Sequence, residues 1–344
     1  MSKVDLKMMA AQLGFSVSTV SKALRDSHEF GESTKQKILA KAKELGYKPN
    51  PYASYMRHQK SKTIALIVPE INNSYFLQVI NGAESVAREK DYHLLIYITH
   101  EDVEHEKSII EHLQNGRVDG IIMSVTLNTK SYDYLERCIS NEVPIVFYDR
   151  VCHEIETVKI VTDDFASAFS ATEHLIQNGC KNIGYLSLSD NLSIGIKRMN
   201  GYKEALNKHD LKINESIIKH CIGTDSAFDF NYKVIKDLLV SHPEIDGIFG
   251  SIERFALITY QVCKELKKRI PEDIKVLCFS NLQTANYLSP SLTTIHQPAF
   301  EMGVTAATTL FKHLDKKRSM LVNDNIVIKS TLVVRESSTE RKES

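Results

Sequence analysis

Leu6-Lys7-Met8-Met9-Ala10-Ala11-Gln12-Leu13-Gly14-Phe15-Ser16-Val17-Ser18-Thr19-Val20-Ser21-Lys22-Ala23-Leu24 is the stretch on which the reading of this 344-residue chain turns. Leu6, Met9, Ala10 and Leu13 recur at i, i+3, i+4 and i+7, one apolar stripe along a helix. Gly14 follows, suited to the positive φ that ends helices. Ser16 can cap a second helix with its hydroxyl, and Val20, Ala23 and Leu24 form the buried stripe of that helix. A third helix is expected over about 32–45, with Ile38, Ala42 and Leu45 inward and Gly46 at its end. Two short helices across a tight glycine turn, braced by a third, are helix-turn-helix geometry.

With Val20 and Leu24 buried, Val17, Ser18, Ser21, Lys22 and Arg25 face outward. They are small, hydroxylated or basic, so such a helix fits a DNA major groove. Lys22 can donate to guanine O6 or N7, and the Val17 methyls suit a thymine methyl. Ser16, Ser21 and Thr34 can hold phosphate, which positions the protein without specifying sequence. Charge points the same way. The chain is neutral overall, yet residues 1–62 hold twelve Lys/Arg against five Asp/Glu, and the remainder 31 against 38. A basic head on an acidic body expects a polyanion.

The rest of the composition narrows the class. With 42% hydrophobic and 25% charged residues, the chain is neither collagen-like, low-complexity nor mostly disordered. No apolar run reaches the ~18 residues of a membrane span, and the N-terminus is no secretory signal. The six cysteines (138, 152, 180, 221, 263 and 278) are scattered without a C-x-x-C pair, and are expected as buried thiols in a reducing compartment. The expectation is a cytoplasmic protein that needs no cofactor and no metal and meets no membrane.

The stretch from Val4 through Leu24, followed by Leu45-Gly46-Tyr47-Lys48-Pro49-Asn50, resembles the DNA-binding head of the lactose-repressor (LacI/GalR) family. Met8 departs from it, where Asp is usual, and so does Gly31, where Ser often caps the third helix. Residues 50–62 would then be a hinge. Asn50 suits a cap and Pro51 a first helical position, but a helix this short is marginal alone. It is expected to be disordered in the free protein and to fold when DNA and a second subunit hold it. The resemblance implies contacts to DNA from Asn50, Ala53 and Met56, with Met56 as a minor-groove wedge where Leu is common.

Beyond residue 62 short apolar runs alternate with helical patterns. Ile64-Ala65-Leu66-Ile67-Val68, Leu94-Leu95-Ile96-Tyr97-Ile98, Gly120-Ile121-Ile122-Met123 and Pro144-Ile145-Val146-Phe147-Tyr148 are runs of buried-strand length. So are Ile183-Gly184-Tyr185-Leu186, Gly247-Ile248-Phe249 and Val276-Leu277-Cys278-Phe279, with helical patterns between them at 79–87, 109–113 and 169–176. That alternation means parallel sheet covered on both faces, and nearly 280 residues of it imply two α/β lobes with a cleft between them. The fold class is therefore a small all-α helix-turn-helix head plus an α/β body. The expected domains are 1–49 (head), 50–62 (hinge), 63–338 (effector-binding and dimerisation) and 339–344 (charged tail).

The body too is similar to that family, whose effector domain has two Rossmann-like parallel-sheet lobes of the periplasmic-binding-protein type. The similar segments are Pro69 onward to Phe76, Val143 onward to Arg150, Arg198-Met199-Asn200-Gly201-Tyr202, and the closing segments at 291–298 and 332–337. A polyol needs planar polar groups and apolar rings. Arg198 offers a fork of donors, Asp149 and Glu253 accept from hydroxyls, and Tyr75, Phe76 and Phe228 can stack on a ring. Asn73, Asn281 and Gln297 can donate and accept. The family often has an Asn-Asp pair where this chain has Ser251-Ile252-Glu253, and Asp where it has Ser280-Asn281. Loss of that second carboxylate would fit an anionic ligand. The expected partners are thus palindromic operator DNA, a second copy of the chain, and a sugar or sugar acid.

Enzyme signatures are lacking: there is no Walker loop, no G-x-G-x-x-G opening the first α/β unit, no H-E-x-x-H and no G-x-S-x-G. His100, His105 and His112 with Glu101, Glu104, Glu106 and Glu111 are expected as a solvated helix face rather than a metal site. Asp163-Asp164 are adjacent and diverge, so they form no acid/base dyad. The expected function is a ligand-controlled transcription regulator, most simply a repressor. The alternative is a cytoplasmic sugar-modifying α/β enzyme with a basic extension.

Overall fold

The structure, a computed structural model, describes residues 6–24, 31–45, 47, 61–114, 116–129, 131–188, 192–315 and 323–339. The chain divides into two compact units, Met1–Ser61 and Lys62–Ser344. Arg25, Gly46, Asn50, Ala53 and Met56 lie outside the described residues, as does nearly all of the expected hinge.

The first unit has helices α1 (Leu6–Leu13), α2 (Val17–Ala23) and α3 (Glu32–Glu44). Their buried core is Met9, Ala10, Val20, Ala23, Ile38 and Ala42, the stripes expected from the periodicity. Gly14 has φ 69°, and Phe15 N–H reaches back to Ala10 O at 3.1 Å, closing α1 with a left-handed residue. Thr19 N–H donates to Ser16 Oγ at 3.1 Å, the capping bond that starts α2. Gly31 precedes α3 with extended backbone and no side-chain cap.

The second unit consists of two lobes. In lobe 1, β1 (Thr63–Val68), β2 (His93–Ile98), β3 (Gly120–Met123), β4 (Ile145–Tyr148), β5 (Lys159–Thr162) and β11 (Asn325–Ile328) form one parallel sheet. Its order is β11-β5-β4-β3-β1-β2. Helices α4 (Ser74–Glu89) and α11 (Ala299–Asp315) cover one face; α5 (Val103–Leu113) and α6 (Asp133–Ser140) cover the other. In lobe 2, β6 (Ile183–Ser187), β7 (Ile218–His220), β8 (Gly247–Gly250), β9 (Lys275–Phe279), β10 (Thr293–His296) and β12 (Thr331–Val333) pair in the order β12-β10-β9-β8-β6-β7. Only the β10–β12 pair is antiparallel there, with Ile295 opposite Leu332. Helices α7 (Asp164–Gln177) and α8 (Ser193–Lys208) lie on one face, and α9 (Phe228–Ser241) and α10 (Glu253–Glu265) on the other.

The inner strands are apolar because both faces are covered: Ile64 to Val68 are fully buried. The burial expected of Leu94-Leu95-Ile96-Tyr97-Ile98 fails, because β2 is an edge strand that leaves Leu95 40% and Ile96 46% exposed. Helices from distant parts of the chain touch backbone to backbone. A Cβ on Gly82 of α4 would stand 2.1 Å from Phe300 O of α11, and one on Gly303 of α11 would stand 2.2 Å from Val79 O. All six cysteines are buried and free. No helix among the described residues is long and apolar enough to cross a membrane.

Candidate functional site

The cap Ser16 is exposed, and Thr34 in α3 is half-buried; in α2, Val17, Ser18 and Lys22 are exposed, Ser21 is half-buried, and Val20 and Ala23 are buried. The helix therefore shows solvent one face of small and hydroxylated side chains with a single lysine. The Ser16 hydroxyl is occupied locally, 2.7 Å from Ser18 Oγ and 2.8 Å from Thr19 Oγ1.

The body carries its site at the carboxyl ends of its strands, where open α/β sheets bind ligands. The chain crosses between lobes three times: β5 to α7, β10 to α11, and β11 to β12. The crossings are tied to one another. Asp163 Oδ1 accepts from Ser330 N–H at 2.8 Å and from Ser167 Oγ at 3.0 Å, and Gln297 Nε2 donates to Thr162 Oγ1 at 3.4 Å. Asn281 braces the second crossing: its Oδ1 accepts from Gln297 N–H at 3.0 Å, and its Nδ2 donates to Gln297 O at 2.7 Å and to Gln78 Oε1 at 3.0 Å.

Asn73, Tyr75, Phe76, Asp149, Arg198, Glu253, Asn281 and Gln297 line one cavity of about 40 Å³ between the lobes. Phe228 is not among its lining residues. It opens α9, is 41% exposed, and stacks on Tyr232 with ring centroids 6.0 Å apart. The structure adds Arg150, Leu188, Ile194, Ile252, Phe279 and Ser280 to the wall. Arg150 and Phe279 stand at the ends of stretches already visible as strands. Leu188 and Ile194 carry no sequence signal beyond their apolarity.

Arg198 is built in from three sides. Its Nε donates to Asp164 Oδ1 at 2.7 Å, its Nη1 donates to Ser251 O at 2.7 Å, and the guanidinium lies 3.7 Å from the Phe279 ring centroid. A desolvated cation–π contact of this kind contributes about 2 kcal/mol. The Arg-x-x-Gly-aromatic spacing acquires a reason here. A Cβ on Gly201 would stand 2.3 Å from Phe165 O, so α8 can approach α7 only with glycine there, and that approach brings Arg198 to Asp164 at the start of α7. Tyr202 then ties α8 to β6 by donating from Oη to Ile183 O at 2.7 Å.

The carboxylates divide into two groups. Asp164 belongs to Arg198, and Glu101 belongs to Arg150, whose Nη1 donates to its Oε1 at 2.6 Å. Asp149 and Glu253 face the cavity without a dedicated ion pair among the described residues. Burial pushes the Asp149 carboxyl up, and the nearby Arg150 and Arg198 guanidinium groups offset part of that rise. Burial likewise raises Glu253, against a hydrogen bond from Ser280 Oγ at 2.5 Å. Position 280 itself carries a hydroxyl and no carboxylate. Glu253, at the start of the neighbouring helix α10, brings a carboxylate to the Ser280 hydroxyl, so the cleft keeps its acid through another element.

The expected solvated acidic face holds for Glu104 and Glu111 but not for Glu106 or for Glu101, whose side chain is held by Arg150. Glu106 is fully buried and accepts from Thr126 N–H at 2.8 Å, Thr129 Oγ1 at 2.8 Å and Tyr134 Oη at 2.5 Å.

Two family models match the chain. "Bacterial regulatory proteins, lacI family" covers residues 5–50, and "Periplasmic binding proteins and sugar binding domain of LacI family" covers residues 61–334. The chain is 30% identical over 334 residues to a ribose operon repressor of Halalkalibacterium halodurans, covering 97% of this chain and 96% of that protein. It is 30% identical over 337 residues to the HTH-type transcriptional regulator RegA of Clostridium saccharobutylicum, covering 97% and 99%. Among solved structures, the lac repressor dimer bound to operator and the anti-inducer ONPF superposes with a TM-score of 0.83. That comparison covers 98% of this chain and all of the other at 19% identity, and so speaks to the fold alone.

Proposed function

The chain belongs to the LacI family of bacterial regulatory proteins, and on that premise we propose that its cleft takes a neutral sugar of about pentose size whose occupancy sets how tightly α2 grips an operator. The protein is a DNA-binding transcription regulator controlled by a small molecule, not an enzyme. The relatives named as repressors support repression as the output, and a homodimer on a palindromic operator as the working form, since two-fold proteins read two-fold sites. A regulator of operators works where the DNA is, which supports a cytoplasmic location. The reading assigns DNA contacts to Ser16, Val17, Ser18, Ser21, Lys22 and Thr34. It assigns the ligand to Asn73, Tyr75, Phe76, Asp149, Arg150, Arg198, Glu253, Phe279 and Gln297.

One observation carries the choice of ligand. Each cleft arginine is already neutralised by its own carboxylate, while Asp149 and Glu253 are left over. Such a site accepts hydrogen bonds from hydroxyls and repels an acid group. The H. halodurans relative is named for ribose, which supports a pentose. Calorimetry with D-ribose and with D-glucuronate tests it. Binding of the neutral sugar with no binding of the acid is expected; tighter binding of the acid would overturn the assignment.

The same two carboxyls give a pH dependence with opposite signs for ligand and fold. An ionised carboxylate accepts from a sugar hydroxyl, and burial makes both groups protonate above the ordinary carboxyl range of about 4. D-Ribose affinity should therefore fall as pH is lowered into the range, raised above the ordinary one, where these two carboxyls protonate. For the free protein the raised groups act the other way. Their contribution to stability is full below the unfolded pKa and is lost as pH rises through the folded one. The rise in melting temperature caused by D-ribose should thus shrink on acidification, and Glu253→Gln should make that trend shallower. An affinity that stays constant or increases on acidification would count against carboxylate acceptors.

A further inference from the structure

An apolar side chain of lobe 1 reaches into lobe 2. Leu127 follows β3 and packs against the lobe 2 cluster that holds Leu186, Leu188 and Leu192. Gly223 lies beside both side chains: a Cβ there would stand 2.4 Å from Leu188 Cδ1, too close, and 3.4 Å from Leu127 Cδ1, in ordinary contact. Leu188 also lines the cleft, so the socket for Leu127 and the wall of the cleft share a residue.

Behind Leu127 stands Glu101, whose Oε2 accepts from Leu127 N–H at 2.9 Å while its Oε1 accepts from Arg150 Nη1 at 2.6 Å. The two side chains of that ion pair are only 8% and 7% exposed. Arg150 faces the cleft, and its buried Nε has no acceptor among the described residues. Glu101 reaches both partners from an unusual backbone. His100 and Glu101 are successive non-glycine residues with φ of 54° and 60°, a left-handed pair of the kind that surrounding structure must impose and that gathers at functional positions. Glu106 holds the loop from its other side through Thr126 and Thr129, so the loop that carries Leu127 hangs on two buried carboxylates.

We infer that Leu127 is a latch that keeps the two lobes together, and that Glu101 is the positioning residue that ties this latch to Arg150 at the cleft. A displacement of Arg150 by whatever occupies the cleft passes through one carboxylate to the backbone of Leu127, and so to the contact that spans the lobes. The assignment does not depend on which molecule the cleft takes, and the free full-length protein tests it. Spin labels at Glu136→Cys in lobe 1 and Asp229→Cys in lobe 2 report the separation of the lobes by pulsed electron paramagnetic resonance. Both positions are exposed, and the six native thiols are buried. Leu127→Ala and Glu101→Ala should each lengthen and broaden the distance distribution by several ångströms, and the double variant should open no further than the wider single one. Hydrogen exchange at the Leu127 amide should speed up by about tenfold or more in Glu101→Ala and stay near the parent rate in Glu101→Gln, which keeps an acceptor. A merely structural Glu101 would lower the melting temperature and leave the separation unchanged. Should Glu101→Ala fail to fold, Leu127→Ala still decides the matter. An unchanged separation in that variant, or effects that add in the double variant, would overturn the inference.

Discussion

Replacing Arg198 by alanine is expected to abolish D-ribose binding and to lower the melting temperature of the body by on the order of 10 °C, while operator binding at low temperature survives. The stability loss follows from Asp164, which is 1% exposed and would stay buried without its cation. Removing one partner of a buried ion pair costs about 3–5 kcal/mol, which in a domain of this size is several degrees or more. The binding loss follows from geometry, since the guanidinium is held against Phe279, Ser251 O and Asp164 as part of the cavity wall. The double change Arg198→Met with Asp164→Leu separates the two effects. It should recover much of the melting temperature without restoring ligand. Operator binding should persist because α1–α3 form a compact unit with its own core. A single variant that still binds D-ribose normally would remove Arg198 from the site.

Lys22→Ala should lower affinity for a cognate duplex by on the order of 10²–10⁴ and relax base preference at one position of each half-site. A good base contact is worth about 1–3 kcal/mol of discrimination, and a dimer makes it twice. Lys22 is the long cationic donor on a face of α2 otherwise made of Val17, Ser18 and Ser21. Duplexes enriched from a random pool by the parent protein, then bound by the variant, measure both quantities. Thr34→Ala should instead weaken all duplexes alike, as a phosphate contact would. Binding by the parent should fall steeply with salt as phosphate contacts release counterions. Unchanged selectivity in Lys22→Ala would exclude base readout by this lysine.

The head was legible because its three helices expose one face and bury another, and Ser16 and Gly14 sit where caps belong. The inner strands were legible for the opposite reason, since burial on both faces leaves unbroken apolar runs. The strand β5 was hidden by Lys159, which a sequence reader places in water. It is 2% exposed, and its ammonium donates to Ile155 O at 2.7 Å, Thr157 O at 3.2 Å and Asn323 Oδ1 at 2.8 Å. Edge strand β11 alternates exposed and half-buried residues and is short, so it shows no apolar run. At the site, polar residues at strand ends were readable from their chemistry. What sequence could not supply was pairing: that Arg150 is held by Glu101, that Glu253 meets Ser280, and that Phe228 turns out to its own helix. The first two pairings join residues 49 and 27 positions apart, and no local pattern encodes them.

Lobe 1 is not finished by the segment that begins it. Helix α11 and strand β11 come from residues 299–328, after the five parallel strands of lobe 2 have been made. On the ribosome, the three helices at the front emerge complete while α4 still lacks the partner that meets it at Gly82 and Gly303. A nascent chain halted before residue 299 therefore holds a finished DNA-reading module attached to a lobe 1 without α11 and β11 and a lobe 2 without β12. Translation nearly to the end is what gives the molecule its obedience to a signal.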